Sequence, residues 1–142
     1  MKKILLGLLL IGSVAMAEWK TVELKDDFGD KTGAVSIYNE EVVGTWIKLD
    51  KGGFVIHTTG YLNKDDLGVM KVKSDDGRVH SFKVWENGKY AYLFDNMDGY
   101  NKLITLLKAS SILKLVVYSY DGDSYKMKVN CMGFTNALKK VK

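Results

Sequence analysis

The sequence predicts a mainly β fold: an antiparallel β-sandwich or curved sheet with one internal helix packed on it and a short C-terminal helix. Three observations predict it. Short runs rich in β-branched and aromatic residues alternate with clusters of Gly, Asp, Asn and Lys at the spacing of an all-β domain. Several of those clusters hold Asn-Gly or Asp-Gly, whose tolerance of positive φ suits tight hairpins between antiparallel strands. Only one internal stretch has helical periodicity, too few for a parallel sheet, in which a helix crosses between most strands.

In chain order, the strand-like runs are Trp19 to Leu24, Ala34 to Tyr38, Thr45 to Leu49, Phe54 to Thr59, Val69 to Lys73, Val79 to Trp85, Lys89 to Phe94, Ile112 to Tyr120 and Ser124 to Cys131. Turn clusters at Asp50 to Gly53, Asp75 to Gly77, Glu86 to Gly88 and Asp121 to Asp123 separate them. The final run has the plainest period of two, with Met127, Val129 and Cys131 on one face and Lys126, Lys128 and Asn130 on the other. Between the seventh and eighth runs, Tyr100, Leu103, Ile104 and Leu107 recur at i, i+3, i+4 and i+7. That stripe predicts a helix from Tyr100 to Ser110, with Asp98 as its N-cap and Lys108 complementing the negative end of its dipole. After Gly133, a second helix is expected over Thr135 to Val141, with Phe134, Leu138 and Val141 sharing a face.

The opening Met1-Lys2-Lys3, the apolar run Ile4 to Ile11 and the small residues of Ala15-Met16-Ala17 follow the order of an export signal cleaved before Glu18. The apolar run falls short of the roughly 20 residues a bilayer span needs, so no stable membrane span is expected once the signal is removed. Residues 1–17 are thus read as signal peptide and 18–142 as a single β-rich domain, with no proline, repeat or linker to divide it. The expected location is periplasmic or secreted. The formal charge of +4 falls to about +2 once Lys2 and Lys3 leave. Arg78 is the only arginine, and the guanidinium fork is the group suited to bidentate reading of bases and phosphates, so nucleic acid is not an expected partner. With Cys131 the only cysteine, no intramolecular disulfide is possible, and its place in the alternation predicts a buried, inert thiol.

For catalysis the chain offers two imidazoles, His57 and His80, both read as strand residues near the core, and no G-x-S-x-G elbow. Neither C-x-x-C nor H-E-x-x-H occurs, so no zinc site and no cofactor is expected. Asp26-Asp27-Phe28-Gly29-Asp30 places three carboxylates within five residues. Asp26, Asp27 and Asp30 could offer hard oxygen ligands to calcium, although the spacing matches no EF-hand loop; the alternative is an ion-free turn closed by Asp side chains and Gly29. A carboxylate pair of the glycosidase kind meets in space rather than along the chain, and the sequence singles out none.

Among the aromatic residues, Trp85 alternates with Ser81 and Lys83 on the wetter face of its run. Trp85 with Lys83 is the candidate contact for a partner, against the reading of Trp85 as a packed cross-strand residue. Trp19, the Asp26-Asp27 stretch, the Val69 to Val72 run, the helix leading into Ile112 to Val117 and the ending Met127-Lys128-Val129-Asn130-Cys131-Met132-Gly133-Phe134 with Ala137-Leu138 together carry a family likeness. On these the chain resembles the VasI-like periplasmic accessory proteins of type VI secretion and related small exported β-sandwich proteins. The resemblance implies a fold and a compartment and brings no catalytic residues with it. The expected function is therefore an exported, non-catalytic binding or accessory protein of the bacterial cell envelope, contacting another envelope or secreted protein. The alternative is a small secreted hydrolase, glycosidase-like, working through dispersed carboxylates.

Overall fold

The computed structural model describes residues 18–142; the expected export segment, residues 1–17, lies outside them. Nine strands form one antiparallel sheet: β1 (Lys20–Lys25), β2 (Lys31–Val42), β3 (Thr45–Asp50), β4 (Gly53–His57), β5 (Asn63–Lys73), β6 (Val79–Gly88), β7 (Tyr90–Phe94), β8 (Ile112–Tyr118) and β9 (Ser124–Asn130). Helix α1 (Tyr100–Ala109) lies between β7 and β8 in sequence, and α2 (Phe134–Leu138) follows β9. Across the sheet the order is β1-β2-β3-β4-β7-β6-β5-β8-β9. The fold is thus the curved-sheet form of the expected class, with both expected helices present. β4 meets β7 and β5 meets β8 because the β5-β6-β7 meander folds back between the two halves of the sheet.

Alternation decides which side of each strand is dry. Ile37, Ile47, Leu49, Phe54, Ile56, Met70, Val72, Phe82, Val84, Leu93, Leu115, Val117 and Val129 are all buried in one continuous core, while their sequence neighbours face outward. The sheet curls far enough to bring β9 against β2 without a ladder between them. That seam is closed by other groups. Trp19 donates its indole N–H to the Asn130 carbonyl at 2.7 Å, Lys128 donates its backbone N–H to Glu41 Oε2 at 2.8 Å, and Val35 and Lys142 exchange backbone hydrogen bonds at 3.2 Å.

The helices occupy one mouth of the curl. α1 buries Leu103 and Leu107 of its predicted stripe and sets the Tyr100 ring 5.6 Å from that of Phe54. α2 carries the fully buried Phe134, on which Trp19 packs edge-on at 5.0 Å. At the opposite mouth the Thr58 to Leu62 connection crosses over, with Leu62 fully buried, its N–H bonded to the Gly88 carbonyl and its carbonyl accepting from Tyr120.

Two expectations about helix ends need correction. Asp98 is not the N-cap of α1: that position is Gly99, and no side chain caps the helix. The reason is packing, since a Cβ at residue 99 would run into the Phe82 ring, which forces glycine where a capping side chain would stand. α2 starts at Phe134 rather than Thr135 and its helical part stops at Leu138, with Lys140 and Val141 held by single turns to Ala137 and Leu138. The β6–β7 turn also lies one residue later than expected, with Asn87 paired to Tyr90 across Gly88-Lys89.

These corrections predict opposite outcomes at adjacent positions. Asp98→Ala should leave the unfolding free energy from urea titration within about 0.5 kcal/mol of wild type, the range of a surface change. Gly99→Ala should cost about 1–3 kcal/mol by overpacking against Phe82, despite the better helix propensity of alanine.

Candidate functional site

The outer face of the curl divides into two chemically different halves. On β3, β4 and β7 an aromatic row runs along the outward side: Trp46 stacks on His57 at 5.2 Å, His57 meets Tyr90 at 4.9 Å, and Tyr90, Tyr92 and Phe94 continue along one strand at 6.2 and 5.4 Å. His57 is therefore part of an outer aromatic row rather than the core, with Nδ1 2.6 Å from the Gly44 carbonyl. His80 is half-buried on the inward side of β6. Because neighbouring rings in the row are turned on one another, the row reads as cross-strand packing of the sheet's outer surface.

The other half is basic. In register across three strands, Lys71 faces Val116, which faces Lys126; one step along, Lys73 faces Lys114, which faces Lys128. Successive same-side residues of a strand stand about 6.8 Å apart and neighbouring strands about 4.8 Å, so five ammonium groups gather on one small area. All five lysines are exposed. They wall a groove of about 690 Å³ whose apolar lining includes Val79, Val116 and Tyr118, with Glu41 and Val42 of β2 at its lip. The ion pairs among the described residues lie elsewhere, at Lys31–Glu23, Lys48–Asp50 and Arg78–Asp76, and no ammonium group of the five lysines has a carboxylate oxygen of the described residues within 4.0 Å. Lys71 instead sits over the Tyr118 ring at 5.6 Å. At the far end the groove continues into a smaller one past Asp75, whose carboxylate accepts from the Ser111 and Ile112 amides and is thereby held below the usual carboxylate range.

The residues singled out from sequence fall elsewhere. Trp85 is outward and half-buried, paired in register with Leu67 on one side and Tyr92 on the other, the position of a cross-strand packing residue. Lys83 is exposed two positions away and lines a separate groove with Leu67, Phe82 and the Asn96 to Gly99 turn, in which Trp85 has no part. Asp26 closes its own turn, accepting from the Phe28 and Asp30 amides at 2.9 Å each, and Gly29 takes φ +82°. Among the described residues, no group of three or more His, Cys, Asp or Glu side chains is placed to hold a metal ion. Cys131 is buried as the alternation predicts; burial pushes its thiol up to about 11. Sequence reasoning did not find the lysine groove. Its one local signal is the repeated Lys-x-Lys of 71–73 and 126–128, which reads as an ordinary solvated face until β8 is placed between the two strands.

One carboxylate is out of place by ordinary rules. Glu86 points inward from β6, is wholly inaccessible to solvent, and neither of its oxygens has a hydrogen-bond partner. Its carboxyl lies against Gly68 of β5, where any Cβ would collide with it. Desolvation is the main cause that pushes its pKa from 4.5 up to about 7; the nearby Asn63 amide works against this, and Asp66, its register partner, adds to it.

The sign of the pH effect follows. Between about 4.5 and about 7 the folded state holds more protons than the unfolded chain, so this group's contribution to stability falls as pH rises through that window and levels off above it. A shift of that size corresponds to at most about 3 kcal/mol. Glu86→Gln should therefore be more stable than wild type at pH 8, and the difference should shrink toward pH 4.5, as read by urea titrations across the range.

Fold and surface together define a class: a curled antiparallel sheet with helices in one mouth, a filled core, and a basic groove on its flank. No family model, curated protein or solved structure matches the chain.

Proposed function

We propose that this chain is an exported, non-catalytic binding or accessory protein of the bacterial cell envelope that works through protein–protein contacts, with the groove across β5, β8 and β9 receiving an acidic segment of its partner. The observation that carries the reading is the set of five lysines, Lys71, Lys73, Lys114, Lys126 and Lys128, whose ammonium groups gather around an apolar lining without ion pairs among the described residues. Opposite charge draws an acidic partner in and orients it, and the apolar lining supplies area to bury once water is expelled. The export signal order and the VasI-like pattern support the compartment. Nucleic acid fits the groove less well, since Tyr118 is its only aromatic ring and Lys71 already covers it, leaving no platform for a base.

The hydrolase alternative draws on Glu86, whose raised pKa beside Asp66 has the form of a general acid near a second carboxylate. Glu86 is closed to solvent, however, so a glycosidic oxygen has no route to it. The groove and three smaller ones have a single carboxylate each in their linings: Glu41, Asp98, Asp75 and Glu23.

Affinity capture from the envelope fraction tests the reading. Wild-type protein should retain a partner that Lys71→Glu/Lys126→Glu loses, with on the order of tenfold weaker binding or more. Equal retention by both proteins, or recovery of the host's own protein in the cytoplasm with Met1 intact, refutes it. Loss of glycan hydrolysis on Glu86→Gln would establish the alternative instead.

A further inference from the structure

We infer that the acidic segment matched to the lysine groove is the β1–β2 hairpin of a second copy of this chain, an inference that rests on the groove being a recognition surface. The first ground is the state of that hairpin. Every residue from 20 to 33 is exposed on both faces of the ribbon, including Val22, Leu24 and, at the tip, Phe28 with 90% of its surface open. An isolated two-stranded ribbon is marginal in water, so an arm of this kind gains by lying on another surface.

The second ground is complementarity. Asp26, Asp27 and Asp30 flank Phe28 in the turn at the tip; Lys25 and Lys31 pair just below it, Lys31 bonded to Glu23, and neither Asp27 nor Asp30 has an ion-pair partner among the described residues. An exposed apolar ring in an acidic turn is the counterpart of an apolar lining walled by ammonium groups. Phe28 would lie on Val79 and Val116, with Asp27 and Asp30 reaching the lysines on either side.

The third ground is reach. The groove's lip is at Glu41 and Val42, the far end of β2, whereas the arm's tip precedes Lys31 at its beginning. Roughly 35 Å of extended strand separates Asp30 from Glu41, and no residue of the arm lines its own groove. The groove the arm can enter belongs to another copy. Such a contact joins two different surfaces, so it closes only if each copy's arm lies in the other's groove, and otherwise runs on head to tail.

Sedimentation equilibrium of the purified protein tests this, with poly-glutamate and a single-stranded oligonucleotide as separate ligands in parallel. At low salt the average mass should rise with concentration above that of one chain. Raising the salt from about 0.1 M to about 1 M, which shortens the screening length from about 10 Å to about 3 Å, should reverse the rise. Asp27→Lys/Asp30→Lys and Lys71→Glu/Lys126→Glu, all at exposed positions, should each weaken self-association on the order of tenfold or more with unchanged melting. Mixed in equal amounts, the two variants should form one-to-one pairs, because one retains the groove and the other retains the arm. A protein that stays a single chain at every concentration, variants that associate like wild type, or a mixture that does not pair overturns the inference. If the single chain still binds poly-glutamate through the groove, the acidic-partner function stands without self-docking. Preference for the oligonucleotide overturns both.

Discussion

Everything in this molecule depends on closing a nine-stranded sheet whose first and last strands never pair. An open sheet of that size leaves one face of every strand in water, and 22 hydrophobic residues here are instead buried in one core. The closure falls to groups outside the ladder: an indole N–H on a carbonyl, a carboxylate on an edge amide, and the Lys142 backbone paired with that of Val35. Each satisfies a backbone group that a bare strand edge would leave exposed, which is how the edge of β9 is kept from offering itself to other strands. Glu41 has two positions at once, binding the edge of β9 and standing at the lip of the lysine groove, so the seam and the basic surface share a residue.

Once the interior is filled by the sheet's own side chains and by the two helices, recognition has only the outside to use. The outer aromatic row from Trp46 to Phe94 takes up its ring faces internally across three central strands, β3, β4 and β7. The three strands beyond β6 carry lysines in place of rings, and among the described residues none of those ammonium groups has an ion-pair partner. Concentrating charge in this way is unfavourable to the isolated chain through mutual repulsion, a cost that an oppositely charged partner relieves.

How far the fold was legible follows from the range of the signals. Period-two alternation and turn chemistry act over a few residues, and all nine runs became strands within a few positions of their expected limits, β2 and β5 extending furthest beyond them. The helix stripe of Tyr100, Leu103 and Leu107 was equally local. Asp98 misled because capping preference is local while the Phe82 ring that excludes a side chain at the next position arrives from another strand. Strand neighbours were hidden for the same reason: no short-range pattern states that β5 lies against β8. The lysine groove, which exists only through that adjacency, was therefore invisible. So was the burial of Glu86, which sits in the turn-like string Glu86-Asn87-Gly88 and reads there as a solvated loop residue.

The strand order also constrains how the chain can assemble. The β5-β6-β7 meander needs only short loops and can form from its own hairpins, whereas the β4–β7 and β5–β8 ladders join strands that are distant in sequence. Joining β5 to β8 encloses β6, β7 and α1 in one long loop, whose closure is an entropic toll exacted before the core rewards it. The seam at β9 carries this furthest, since Trp19 meets Asn130 and Val35 meets Lys142 across more than a hundred residues of chain.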